Sequence, residues 1–165
     1  MSDYEKAQVK AKELLEEHNI TTPVVPIFDF TQRFGFKIFF FKPEKIDGEK
    51  LNDVAGFTDL DQKIIYINEH DPSYRQSFTV AHELGHIVLE HQPSKVEVQY
   101  LYRNTNITTT DEEKEANVFA ANLLMPKIFI EKIMKQYNLH KEDVNTLAGI
   151  FGVSPQAMNL RLKYL

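Results

Sequence analysis

Two histidines and a glutamate stand close together near the middle of the chain, in the order His82-Glu83-Leu84-Gly85-His86. On a helix, residues i and i+4 lie on the same face, so His82 and His86 can present both imidazoles to one metal ion. Glu83 lies between them and points in a different direction, toward a metal-bound water rather than the metal. The spacing predicts a zinc site in which Glu83 is the general base for attack by that water.

The residues around this motif predict that it lies on a half-buried helix. Apolar residues recur at helical spacing from about Tyr74 to His91, and Pro93 ends the pattern. A glycine inside a helix costs about 1 kcal/mol relative to alanine, so Gly85 indicates that another segment packs closely there. Histidines this near the core need polar partners, and a metal ion would satisfy both. We expect His91, at the helix end, to be a surface residue rather than a ligand.

A second, acidic helix can supply a third metal ligand. Segment 111–117 carries four carboxylates and begins a helix that we expect to run to Met125. By helical periodicity Glu115 points well away from the buried face, whereas Glu112 and Glu113 both remain near its edge. Spacing does not separate these two, because each has a threonine three residues earlier with which it could form a capping box of no catalytic meaning.

Composition limits the kind of protein. The chain has 165 residues, of which 42% are hydrophobic and 26% charged, so we expect one domain over 1–165, with a catalytic core at 20–126 and C-terminal helices at 127–165. Cysteine is absent, which leaves histidine and carboxylates as the strong metal ligands. The net charge of −5 disfavours nucleic acid as a partner. Residues 1–17 lack the apolar core of a signal peptide, so we expect a cytoplasmic protein without membrane contact.

Patterning along the chain predicts an α+β fold. Helices are expected at 3–18 and 26–34, and the apolar run at 36–41 predicts a buried strand. Residues 54–58 and 63–68 flank a short polar turn and predict a β-hairpin. We expect this small sheet to pack on the helix that carries the two histidines, and a helical C-terminal part to follow.

Two blocks of the chain together resemble the ImmA/IrrE family of metallopeptidases: FTVAHELGH, which ends at His86, and EKEANVFAANLLMP, which begins at Glu113. The resemblance covers most of 23–165 and implies a zincin-like fold with one zinc ion. It implies Glu113 as the third ligand beside His82 and His86, with Glu83 as the catalytic residue. One turn beyond Glu113, Asn117 can orient a ligand histidine, where related zincins often carry aspartate.

The chain departs from the family pattern in two respects. Family members often have a histidine four residues after the second ligand, where this chain has Glu90 followed by His91. No residue can be assigned as the donor that stabilises the transition state, and the candidates are Tyr100, Tyr102, Arg103 and His140.

The C-terminal segment allows a different interpretation. Residues 147–158 have the small-residue, glycine-turn and apolar spacing of a helix-turn-helix, and the cations Arg161 and Lys163 follow. Contact with DNA through 147–163 is the weaker hypothesis, because these apolar residues can simply pack onto the core.

Three functions remain open on the sequence. The resemblance implies a zinc endopeptidase that cleaves or inactivates a helix-turn-helix repressor of a phage, mobile element or stress regulon. The alternatives are a non-catalytic, zinc-containing antirepressor that only binds its partner, and a DNA-binding regulator in which the metal stabilises the fold. The intact Glu83 argues against the first alternative, and the acidic balance of the chain against the second.

Overall fold

A computed structural model describes residues 3–43, 54–91 and 110–165. In these ranges the chain forms seven helices and three strands, which confirms the predicted α+β class. In chain order they are α1 (Asp3–Glu17), α2 (Ile27–Arg33), β1 (Lys37–Phe41), β2 (Gly56–Asp59), β3 (Ile64–Asn68), α3 (Ser73–Val88), α4 (Asp111–Leu124), α5 (Lys127–Tyr137), α6 (Val144–Phe151) and α7 (Pro155–Lys163). None of the described helices is long and apolar enough to cross a membrane.

The three strands form one small sheet in the order β1-β3-β2. Strands β2 and β3 are antiparallel and form the predicted hairpin, with Gly56 opposite Ile67 and Asp59 opposite Ile64. The Asp59 side chain accepts a hydrogen bond from the Gln62 N–H at 2.9 Å, which stabilises the turn. Strand β1 joins the other side of β3 in parallel.

Strand β1 is not the buried strand that its apolar sequence predicts. Phe39 and Phe40 are 56% and 43% exposed, and of the five residues only Phe41 is buried. The strand pairs with β3 alone in the described part of the chain, so its apolar run does not mark a strand covered on both faces. Its aromatic rings contact neighbours at the surface, with Phe39 edge-on to Tyr66 and Phe40 stacked on Phe28.

Helix α3 lies directly against the hairpin. A Cβ atom at Gly56 would come within 2.5 Å of Thr79 Cγ2 and 2.6 Å of the Tyr66 carbonyl oxygen. Only glycine allows β2 to approach the helix this closely. The hairpin is thereby fixed beside the stretch of α3 that carries His82 and Glu83, both of which are buried.

The other side of α3 packs against α4. A Cβ atom at Gly85 would lie 3.1 Å from Phe119 Cδ1 and 3.2 Å from the Ala116 Cα, closer than most side chains approach. The close packing that this glycine predicts is therefore present, and its partner is the acidic helix.

Helix α3 ends at Val88, three residues before the predicted end at His91. Glu90 adopts a left-handed conformation with φ 58°. The Glu90 N–H bonds to the Ile87 carbonyl, and the His91 N–H to the His86 carbonyl. These bonds form a Schellman motif, which folds the chain back over the last turn of the helix.

The C-terminal helices α6 and α7 form the predicted helix-turn-helix-like unit. Gly152 takes φ 65° after α6, and Ser154 caps α7 by accepting a hydrogen bond from the Ala157 N–H, with Pro155 in the first turn. The apolar residues of the unit are buried in the main core, as the packing interpretation predicts: Leu147, Phe151, Val153, Met158 and Leu162.

Arg161 is not the exposed cation that a DNA-binding interpretation requires. Its side chain is buried and donates to the Met125 carbonyl at 3.0 Å and to Asn122 Oδ1 at 2.8 Å. Burial lowers the pKa of its guanidinium below the ordinary value. Arg161 therefore satisfies acceptors at the C-terminal end of α4 and ties α7 to the rest of the fold.

We expect Gly56→Ala to lower the free energy of unfolding of the metal-free protein by about 1–3 kcal/mol, because the new methyl group would force β2 away from α3. Denaturant unfolding followed by circular dichroism measures this loss. Gly149→Ala is the matched control, since nothing lies within 4 Å of a Cβ at that exposed helical position. Alanine there should be neutral or stabilise by up to about 1 kcal/mol. Equal effects of the two substitutions would contradict the close contact at Gly56.

Candidate metal centre

Helix α3 presents two imidazoles to the same point. The Nε2 atoms of His82 and His86 lie 3.1 Å apart, and the ring centroids are 4.8 Å apart. His82 is only 1% exposed, so its polar atoms must find partners inside the protein. The helical spacing of four residues produces this convergence, as the sequence predicts.

Glu113 on α4 completes the group. Its Oε2 lies 3.2 Å from His82 Nε2, and its Oε1 lies 3.2 Å from His86 Nε2. The Glu113 N–H donates to Thr110 Oγ1, so the N-terminal cap of α4 forms at the same place. The hydrogen bond to Thr110 fixes the backbone of Glu113, and the carboxylate of Glu113 is directed toward His82 and His86. Of the two glutamates between which spacing cannot choose, it is Glu113 that the structure brings to the histidines.

The charges of the three groups stabilise one another. Burial alone would raise the pKa of Glu113, but hydrogen bonds with His82 and His86 hold that pKa well below its ordinary value. Burial alone would lower the pKa of His86, but the hydrogen bond to Glu113 and the charge of Glu83 raise it. Glu113 is therefore an ionised carboxylate, which is the form that binds a cation.

Glu83 lies on the same helix but has a separate environment. Its side chain is 5% exposed, and Thr58 on β2 donates a hydrogen bond to its Oε2 at 2.6 Å. Burial raises the pKa of Glu83, and the charge of His82 and the Thr58 hydrogen bond oppose that rise only in part. A buried carboxyl group with a raised pKa is suited to accept and return a proton.

The side chains fit a divalent metal ion. One ligand atom from each of His82, His86 and Glu113 lies within 4.8 Å of the other two. Two imidazole nitrogens and a carboxylate are the donors that hydrolytic zinc sites use, with a fourth position open to water. The predicted contact of Asn117 is also present, since its Oδ1 lies 3.0 Å from His82 Nδ1. That bond leaves His82 Nε2 free to act as a ligand.

Two residues near this group were predicted wrongly. His91 was expected at the surface and Glu115 well away from the buried face, yet their side chains are only 8% and 13% exposed. His91 lies with its Nδ1 3.0 Å from His86 Nδ1, and its Nε2 lies 3.1 Å from Glu115 Oε2. The sequence did contain a signal for His91. Family members often have a histidine at the position of Glu90, and His91 lies one residue later.

Of the four candidates for a transition-state donor, His140 alone falls within the described residues. Tyr100, Tyr102 and Arg103 lie outside the described residues. His140 is exposed in the turn between α5 and α6, where its N–H donates to Asp143 at 2.8 Å.

Comparison with known proteins identifies the family and the fold of the chain. A Mycobacterium tuberculosis transcriptional regulator has a similar fold, with a TM-score of 0.62 and 15% sequence identity. The similarity covers 93% of this chain but 45% of that protein, and at this identity it shows the fold alone. No sequence among the curated proteins matches. The family model of the IrrE N-terminal-like domain, peptidase M78, matches residues 31–163, and the chain therefore belongs to this family.

Proposed function

We propose that this protein is a zinc-dependent endopeptidase that cleaves, and so inactivates, a helix-turn-helix transcriptional repressor. The observation that carries the proposal is the convergence of His82, His86 and Glu113 beside a buried, differently directed Glu83. Three ligands from two helices leave room for water, and a separate carboxyl group is in place for the proton transfers that peptide hydrolysis needs. Membership of a peptidase family supports the same reaction.

In this proposal each side chain has one task. Bound zinc supplies Lewis acidity toward the scissile carbonyl and lowers the pKa of water at the site to near 7. His82, His86 and Glu113 hold the ion, and Glu83 takes a proton from the attacking water. Glu83 then returns that proton to the nitrogen of the departing amine as the C–N bond breaks, so that water has supplied a hydroxyl to the carbonyl carbon and a proton to the amine. Thr58 keeps the Glu83 carboxylate directed while the proton moves.

The position of β2 supports a peptide as the substrate. Among the described residues β2 pairs only with β3, so its outer edge offers backbone groups to an extended chain. The same strand carries Thr58, which bonds to Glu83. A peptide paired along β2 would therefore run beside the catalytic carboxylate.

The choice of a repressor as substrate rests on the relatives. The family is named for the IrrE N-terminal-like domain, and the protein of similar fold is a transcriptional regulator. Action on a transcription factor is consistent with both. Direct binding of DNA is less consistent with the structure, since Arg161 is buried and bonded to Asn122 and Met125.

Replacing Glu83 tests the catalytic step. We expect zinc-loaded Glu83→Gln to cleave candidate helix-turn-helix repressors on the order of 10²–10⁴-fold more slowly than wild type, because glutamine cannot carry the proton. Intact-mass spectrometry of the repressor detects the two fragments and locates the cut bond. Glu90→Gln is the matched control, since Glu90 is an exposed glutamate just beyond the same helix, and its activity should equal that of wild type.

The outcomes of this assay distinguish the proposed enzyme from its alternatives. If wild type and Glu83→Gln relieve repression equally without any fragments, the protein acts by binding alone and the enzyme proposal is wrong. Tight DNA binding that weakens steeply with added salt would instead favour a DNA-binding regulator.

Replacing Thr58 tests how Glu83 is held. We expect Thr58→Val to lower kcat roughly tenfold with little change in KM, because a hydrogen bond to a charged group contributes about 1.5 kcal/mol. Thr58→Ser keeps the hydroxyl and should retain most of the activity. Steady-state kinetics on the cleaved repressor measures both parameters. A loss in the serine variant as large as in the valine variant would show that the hydrogen bond is not what matters at this position.

A further inference from the structure

Behind His86, on the side away from the metal ligand atoms, lie two polar side chains that the proposed reaction does not use. His91 Nδ1 is 3.0 Å from His86 Nδ1, and His91 Nε2 is 3.1 Å from Glu115 Oε2. The rings of His86 and His91 meet edge to face, with centroids 5.0 Å apart. The three side chains form a continuous hydrogen-bonded row from α4 to the metal group.

The end of helix α3 creates this row. In a Schellman motif the residue after the left-handed position lies beside the residue five positions earlier, and the two side chains are usually apolar. Here those two residues are His91 and His86, joined by the bond from the His91 N–H to the His86 carbonyl. The left-handed residue is Glu90, in a conformation that favours glycine. The motif therefore places a second imidazole against a ligand imidazole.

Glu115, the end of the row farther from the metal group, sets the directions of the hydrogen bonds along it. An ionised carboxylate only accepts, so Glu115 requires the proton of neutral His91 to be on Nε2. His91 Nδ1 then carries a lone pair, and His86 Nδ1 must donate to it. With its proton on Nδ1, neutral His86 offers the lone pair of Nε2 to a metal ion; in the metal-free protein that nitrogen lies 3.2 Å from Glu113 Oε1 and donates to it. Each bond thus selects the tautomer of the next ring.

A single hydrogen bond holds His82 in the same tautomer, with its proton on Nδ1. The oxygen of Asn117 accepts directly from its Nδ1 at 3.0 Å. Residues of α4, the helix that also supplies Glu113, therefore hold His82 directly through Asn117 and His86 indirectly through Glu115 and His91. Outer partners that accept from a ligand histidine fix its orientation and increase its basicity as a ligand.

We infer that His91 and Glu115 are positioning residues that hold His86 in the tautomer and orientation that offer Nε2 to a metal ion. The inference rests on the metal site of the proposed function but not on peptide cleavage. His91 itself is not a ligand in this arrangement, because the nitrogen facing the site is hydrogen-bonded to His86.

Zinc affinity tests this inference without any assay of activity. In Glu115→Gln the amide can donate as well as accept, which permits the opposite tautomer of His91 and hence of His86. In His91→Phe the ring volume remains and both nitrogens are lost. We expect each variant to bind Zn²⁺ about 10–100-fold more weakly than wild type, measured by titration against a chelating dye.

Glu112→Gln is the matched control for charge. Glu112 lies in the first turn of α4, three residues before Glu115, and its charge acts on His86 from a distance. Its replacement removes one negative charge without touching the row, so Zn²⁺ affinity should change by less than about threefold. If Glu115→Gln and His91→Phe bind Zn²⁺ as tightly as this control, the inference is wrong while the metal site stands. If wild type binds no Zn²⁺, the metal site and this inference both fail.

The proton positions can also be read in wild-type protein, which removes any dependence on how the variants fold. Long-range ¹H–¹⁵N spectra of the imidazoles in the zinc-loaded protein should show His86 protonated at Nδ1 and His91 at Nε2. A proton on His91 Nδ1, or zinc bound to either nitrogen of His91, would overturn the inference.

Discussion

The close approach of α3 and α4 at Gly85 is the contact on which the rest of the site depends. A side chain at this position would press against Phe119 and the backbone of Ala116. Because Ala116 lies one turn after Glu113 and next to Asn117, the same contact sets the distance from these residues to the histidines of α3. The hairpin, held on the opposite side of α3 by another glycine contact, adds the hydroxyl that bonds to Glu83.

This packing concentrates ionisable groups where they are largely buried, and the structure compensates that burial by pairing. His82 and His86 lie against the Glu113 carboxylate, and the outer nitrogen of each ring has its own partner. Removing one member of such a buried set leaves the others uncompensated and so weakens the whole group. Glu83 is the exception, with one described hydroxyl donor and a pKa that burial raises. Glu83 therefore differs from Glu113 in the direction of its pKa shift as well as in the direction of its side chain.

The sequence predicted what is local and missed what depends on tertiary contacts. Helix geometry alone predicts that His82 and His86 converge, and the low helix propensity of glycine predicts close packing at Gly85. Helix geometry left Glu112 and Glu113 equivalent, and only the family resemblance chose between them, because the choice depends on how α4 is rotated against α3. The sequence predicts His91 at the surface and Glu115 away from the buried face of α4, because a left-handed turn without glycine, which brings His91 to Glu115, gives no sign in the sequence. Arg161 counts as an exposed cation only in the weaker, DNA-binding hypothesis, because a sequence does not show which acceptors lie opposite a side chain.

We expect one zinc ion to be held by two histidines of α3 and one glutamate of α4. Anomalous diffraction at the zinc edge from crystals of the zinc-loaded protein tests it most directly. We expect a single strong peak about 2.0–2.2 Å from the Nε2 atoms of His82 and His86 and from a carboxylate oxygen of Glu113. A peak bound by other side chains, or no peak in this position at saturating zinc, would contradict it.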